Sequence, residues 1–379
     1  MLPRTVLVAG AGLAGARTTE TLRAEGFEGR VILAGDEPTA PYERPALSKG
    51  YLTGLKAEDE LLLRPARFWK DAGIDLRLGQ RVDSVDTSRR TAVLSTGEEL
   101  AWDALVVATG ARPRSLPFRA PRGVHTLRTL ADATALRATL VPGARLAVVG
   151  GGFVGAEVAS TAAALGLDVT MIEALAVPFE RTLGPAVGRL LAERYRSRGV
   201  DVRVGATVTG FREDGSGSLT GVELAGGDVV CCDTALVGIG TAPTRDLLPE
   251  RPSDRLYACG DVTASGGHWA SAAAGGAAVA RRILGLPPAP AQPSFFWSDQ
   301  FGLRLQLVGE TTRATDVRVD GCADTFVARY HDVRGRLVAA LAANRPAEVA
   351  RLRTELAHGP KTEAERRQDR LVPAACAFL

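Results

Sequence analysis

Short apolar runs that end in glycine recur along this chain. TVLVAG (5–10), VILAG (31–35), ALVVATG (104–110), LAVVG (146–150) and TALVGIG (234–240) share the pattern. Each is too short for a helix, rich in β-branched residues and apolar on both faces, so each predicts a strand buried in a parallel sheet. Amphipathic helical segments follow the first and fourth runs. RLYACGDV (255–262) predicts a further strand, and GGHWASAAAGGAAVARRILG (266–285) predicts an Ala-rich helix opening at His268–Trp269. Past the linker GLPPAPAQP (285–293) the pattern changes. Alternation in LRLQLVG and DTFVARYHD predicts antiparallel strands, and AEVARLRTELAHG predicts a helix stopped by glycine. The expected fold class is therefore α/β with a C-terminal α+β domain. Residues 361–379 receive no assignment.

The glycines carry the first chemical signal. Gly10, Gly12 and Gly15 form G-x-G-x-x-G between a strand and a helix, and the next strand ends at Asp36–Glu37. This is the dinucleotide-binding fingerprint: a tight turn, close backbone approach to a pyrophosphate, helix packing on the strand, and an acid for ribose hydroxyls. The same grammar returns at Gly150, Gly152 and Gly155, closing at Glu173. Two fingerprints imply two dinucleotides, most simply a bound flavin and a nicotinamide carrier. A carboxylate at Glu173 favours the free 2′-hydroxyl of NADH and disfavours NADPH. Arg181 could soften that choice or bind the pyrophosphate.

Composition adds limits. The 379 residues allow two or three domains, and no apolar run reaches membrane-spanning length, so a soluble globular protein is expected. The opening MLPRTVLVAG is not expected to be a removable leader. The net charge of +3 is mild; no nucleic-acid or membrane partner is expected. A lysine-to-arginine ratio of 4 to 42 points to a GC-rich bacterial genome. Cys231 and Cys232, adjacent in a strand-like run, should face opposite ways as strand filler. The four histidines show no metal-ligand spacing, and no metal site is expected. The terminal CAFL has the form of a prenylation signal and is read as chance.

Residues 41–51 read PYERPALSKGY, with Arg44 and Lys49 but no cysteine. With ATGARPR, VHTLRT, VVGGGFVGAEVA, VGIG, YACGDV, HWASA and FFWSDQ, this stretch resembles the FAD-dependent ferredoxin and rubredoxin reductases of bacterial oxygenase systems. That family is akin to glutathione reductase in fold, with two Rossmann-like dinucleotide-binding domains. The resemblance covers nearly the whole chain, and FFWSDQ is its most specific part. It implies FAD, NADH and a small iron–sulfur protein as electron acceptor, serving a P450 or Rieske-type oxygenase in the cytoplasm. It implies FAD contacts at Ala14, Asp36, Lys49, Val82, Arg128, Asp261 and Trp269, and NADH contacts at Val154, Glu173, Arg181 and Gly240. Glu37, Arg44, Thr109, Gly110, Gly260 and His268 stand in the same motifs and are expected at a cofactor. Lys49 would sit at the flavin edge paired with Glu157, and Trp297 would lie against the flavin and face the electron partner. With no thiol near residues 41–51, electrons would leave singly, with no disulfide relay.

The resemblance also implies domain limits: FAD-binding at 1–114 and 241–292, NADH-binding at 115–240, and the C-terminal domain at 293–379, in a monomer or homodimer. Two departures stand out. Only TAPTRDLLPERPSDRLYAC separates VGIG from GDV, so a strand pair of the family is expected to be missing. Gly267 and Gly275 replace an acid and a polar residue on the flavin side. Two other readings stay open: a flavin oxidase or dehydrogenase acting on a small biosynthetic intermediate, and a flavin-binding scaffold without turnover.

Overall fold

The computed structural model describes residues 2–249, 254–263, 269–290 and 292–358. Gly267, His268, residues 250–253 of the link and the 361–379 tail lie outside them.

Two five-stranded parallel sheets follow from the glycine-ended runs. The first has the order Leu256–Ala258, Ala104–Val107, Thr5–Ala9, Arg30–Ala34, Ile74–Arg77. The second has the order Asp201–Val204, Asp168–Glu173, Arg145–Val149, Thr234–Val237, Val124–His125. The chain leaves the first sheet after Val107 and returns at Leu256. Its two crossings, Ala111–Pro113 and Thr241–Pro243, pair antiparallel with each other.

Alternation within a strand decides which side each residue packs on. From Thr5–Ala9, Val6 and Val8 face the Leu13–Ala24 helix side with Leu22 and Leu33. Leu7 and Ala9 face the other side with Leu94, Leu100 and Trp102. Burying a side chain such as Leu7, Ile32 or Leu105 fully stabilises the sheet by about 1.5–3 kcal/mol each. Each parallel sheet carries a three-stranded antiparallel sheet, Val82–Ala101 on the first and Val208–Cys231 on the second.

The helices are held close by small residues. The Trp269–Ile283 helix lies on Leu13–Ala24 so tightly that a Cβ on Gly276 would sit 2.3 Å from Ala14 O. The shortened link uses Leu247, which is buried against the three-stranded sheet with Val82 and Val262. The strand it feeds is a three-residue edge, Leu256–Ala258. So short an edge offers little backbone for unwanted pairing.

The C-terminal part is a five-stranded antiparallel sheet, ordered Phe295–Gln300, Leu303–Gly309, Leu337–Ala343, Thr325–His331, Asp316–Cys322, with the Pro346–His358 helix on one face. Its other face joins the core of the second parallel unit through Leu305, Phe326 and Tyr330. Among the described residues no helix is long and apolar enough to cross a membrane.

Candidate functional site

The three parts meet around a cavity of about 850 Å³, toward the upper end of small-molecule sites. The first glycine loop forms one end. Gly10 has φ +117°, and a Cβ there would meet Ala108 O at 2.2 Å. Gly12 caps the Leu13–Ala24 helix with no side-chain bond, so the helix start presents free N–H donors. Gly12 and Ala14 line the cavity. Gly15 packs instead of lining, since its Cβ would lie 2.0 Å from Gly10 O. The second loop repeats this geometry: Gly150 has φ +104° and Gly155 would clash with Gly150 O at 2.2 Å.

The acids divide their work. Glu37 accepts from Tyr42 Oη and from Arg44 Nη2, both at 2.5 Å, and Arg44 also donates to Arg128 O. Glu37 and Arg44 thus line the cavity as a pair engaged with each other. Asp36, beside them, is exposed and also lines the cavity. Burial, with Glu37 adding to it, pushes the Tyr42 hydroxyl well up, so it stays a neutral donor. Arg128 and Asp261 form an ion pair at 2.8 Å. Thr109 Oγ1 donates to Thr244 O at 2.6 Å. Val82, Gly110 and Asp261 line the same wall. Gly260, φ +74°, brings its backbone onto Ala14 Cβ, where a Cβ would sit at 2.8 Å.

At the far end Lys49 Nζ lies 2.7 Å from Glu157 Oε2. Glu157 is buried and also accepts from Ser48 Oγ at 2.5 Å and Ser298 Oγ at 2.6 Å. Trp297 and Trp269 meet edge to face with centroids 5.6 Å apart, and both line the cavity. Phe153 opens the second loop's helix, packs on Phe296 at 4.3 Å, and reaches the cavity with Val154. Glu173 lies outside the cavity lining. Its Oε2 accepts from Gly151 N at 2.7 Å and its Oε1 from Leu175 N at 2.9 Å. Gly240, φ +94°, and exposed Arg181 also stand away from the cavity wall.

Sequence reasoning missed Ser48, Phe153, Thr244, Phe296, Ser298 and Gln300. The FFWSDQ alternation puts Phe296, Ser298 and Gln300 on one face, a signal that was present but named no partner.

The cavity is thus lined by the first glycine loop and by Phe153, Val154 and Glu157 from the helix of the second, an arrangement suited to a bound dinucleotide beside a second nucleotide-binding unit. Residues 4–255 match the pyridine nucleotide-disulphide oxidoreductase family model, and residues 295–374 match a reductase C-terminal domain. The chain belongs to this family. It is 35% identical to the ferredoxin reductase subunit of 5,5′-dehydrodivanillate O-demethylase from Sphingobium sp., over 97% of this chain and 96% of that one. It is 33% identical to the ferredoxin–NAD(+) reductase component of the p-cumate 2,3-dioxygenase system of Pseudomonas putida, covering 97% of each. The fold superimposes on a crystal structure of the covalent putidaredoxin reductase–putidaredoxin complex with TM-score 0.90 and 30% identity, covering 93% of each chain. The Sphingobium alignment spans 399 positions, more than the 379 residues of this chain, so that relative carries residues absent here.

The cofactors of the family are FAD and a nicotinamide nucleotide, and the residues present fit them. Gly10 admits no side chain, the helix start offers free donors, and Thr244 Oγ1 is buried in the cavity wall without a partner. An unpaired buried hydroxyl at that place calls for a bound polar group.

Proposed function

We propose that this chain is an NADH-dependent ferredoxin reductase, passing electrons through FAD to a small iron–sulfur protein that serves a P450 or Rieske-type oxygenase in the cytoplasm. The observation that carries this reading is the cavity wall. It brings Lys49, Glu157 and Trp297 together, and no cysteine lines it among the described residues. Of the described cysteines, Cys231 and Cys322 are exposed, and Cys232 and Cys259 are buried. Burial pushes the Cys259 thiol up to about 11. A disulfide relay has no partners here, which favours one-electron delivery.

FAD, when bound, accepts a hydride and releases single electrons. The protein's part is orientation and charge. Gly10, Gly12 and the helix start would hold the pyrophosphate, Asp36 the ribose, and Asp261 with Arg128 the chain between. Lys49 places a fixed cation at the cavity wall, and buried Glu157 holds it there. Trp297 and Trp269 would close the side facing the partner. The second loop with Glu173 would take the NADH. In this reading the FAD-binding part is 1–114 with 241–292, the NADH-binding part 115–240, and the C-terminal part 293–379.

The test is an anaerobic visible spectrum. NADH should bleach the flavin bands, and a [2Fe–2S] ferredoxin should restore them within milliseconds to seconds. Bleaching that only oxygen reverses, with peroxide release on an organic substrate, would select the oxidase reading. No bleaching by NADH would select the scaffold.

A further inference from the structure

A buried polar thread runs from the cavity wall into the C-terminal sheet. Beyond Glu157, Ser298 Oγ accepts from Gln300 Nε2 at 3.0 Å, and Gln300 Oε1 accepts from the Tyr195 hydroxyl. Ser298, Gln300 and Tyr195 are all buried. The members come from separate parts of the chain. Ser48 and Lys49 follow the first fingerprint, Glu157 and Tyr195 lie on the helices Phe153–Ala164 and Glu180–Arg196, and Ser298 and Gln300 lie on the strand Phe295–Gln300.

The direction of donation is fixed. A carboxylate only accepts, so Ser298 must donate to it. Gln300 must then present its NH₂ to Ser298, which leaves its oxygen for Tyr195. Every hydrogen in the thread points toward Glu157. Bonds aligned this way polarise one another. An amide in the middle and a single sense of donation make a brace, not a proton path. The Glu157 helix fastens both neighbours on the same face: Thr161 Oγ1 donates to Ser48 O at 2.8 Å, and Phe301 N donates to Ser160 Oγ at 2.6 Å. Residues three and four apart share a helix face, so all these contacts belong to one seam.

We propose that Ser298 and Gln300, anchored by Tyr195, are positioning residues that fix the Glu157 carboxylate and, through it, the place of the Lys49 ammonium at the cavity wall. The C-terminal sheet thereby sets the charge geometry of a site whose cofactor loops lie in the other two parts.

The chain has four lysines, which makes Lys49 readable by acetic anhydride labelling and mass spectrometry, with Lys56 and Lys70 as internal references. Its side chain is 21% exposed, enough to label slowly. Ser298→Ala should raise the Lys49-to-Lys56 labelling ratio about tenfold, the equivalent of one lost charge-assisted hydrogen bond. Ser298→Thr, which keeps the hydroxyl, should restore it. The second readout is the midpoint potential of bound flavin. Ser298→Ala should shift it in the same direction as Lys49→Met, and should add nothing in the Lys49→Met background. Only this second readout rests on the flavoprotein reading; the labelling needs no cofactor, so the two ideas fail separately. An unchanged labelling ratio in Ser298→Ala, or additive potential shifts, overturns the proposal. If Ser298→Ala does not fold, Tyr195→Phe, which loses only a hydroxyl, decides it by the same readouts.

Discussion

Glu173, proposed to meet the nicotinamide nucleotide, also holds its own loop. Its two oxygens accept from Gly151 and Leu175, so the carboxylate is held in place at the end of the strand Asp168–Glu173. Replacing it with alanine removes both charge and loop bonds, whereas Glu173→Gln removes the charge and keeps an acceptor. We expect the wild type to prefer NADH, and Glu173→Gln to narrow the kcat/KM ratio over NADPH by about tenfold, a small part of the repulsion between close charges. Equal use of both carriers by the wild type would sink this reading of Glu173. A second residue bears on stability. His125 is partly buried, its Nε2 has no partner, and burial lowers its pKa although Asp132 works the other way. The folded chain therefore resists a proton that the unfolded chain takes up below about pH 6.5. Stability from this group is intact above that pH and is lost as pH falls toward the folded value. His125→Phe should flatten the fall in urea-unfolding free energy between about pH 7 and 5. Parallel curves for the two proteins would show that His125 contributes nothing there.

Two adjacent glycines in the Trp269–Ile283 helix should behave oppositely. A Cβ on Gly275 would lie 3.6 Å from Gly260 N, an ordinary contact, whereas one on Gly276 would lie 2.3 Å from Ala14 O. Gly275→Ala should gain up to about 1 kcal/mol from helix propensity. Gly276→Ala should cost about 1–3 kcal/mol by forcing the two helices apart, and should lower the FAD-to-protein ratio after dialysis. Equal stabilities in denaturant would contradict the close packing. The two glycine loops, their strands and the acids at 36 and 173 were legible because each depends on local rules: a turn with positive φ, a helix start, a fixed distance along the chain. The Lys49–Glu157 pair was legible only through the family resemblance. Glu37 and Arg44 were expected at a cofactor and line the cavity, but nothing local says that they would pair with each other. Ser298 and Gln300 were hidden because a buried polar residue in an alternating strand looks like any inward position until its partners, more than 100 residues away, are known. The link was expected to lack a strand pair, but the burial of Leu247 within it depends on the sheet it meets.

At the scale of the molecule, charge is spread thinly. Over 293–358 nine arginines stand against eight carboxylates, and several arginines pair with neighbours, as Arg318 does with Asp316 and Arg336 with Asp332. The arginines of this part therefore do not by themselves make a basic face. Arg353 is better placed than the others to matter. Its guanidinium lies 5.7 Å over the Phe295 ring, and Phe295 stacks at 6.1 Å on Trp297, which lines the cavity. One exposed cation thus stands one ring away from Trp297, the proposed exit for electrons. Electron-transfer complexes bury little surface and rely on charge for encounter. An acidic ferredoxin approaching Trp297 would meet Arg353 first. We expect ferredoxin reduction to slow as salt rises from about 10 mM to 0.5 M, where the screening length falls from about 30 Å to a few ångströms. Arg353→Glu should slow it several-fold at low salt, and the gap should close at high salt. Flavin reduction by NADH should be the same in both proteins at every salt concentration, because Arg353 lies on the Pro346–His358 helix and does not line the cavity. Stopped-flow measurement of the two half-reactions separates these effects. If the variant and wild type reduce ferredoxin equally at low salt, the partner does not dock over Phe295 and Arg353.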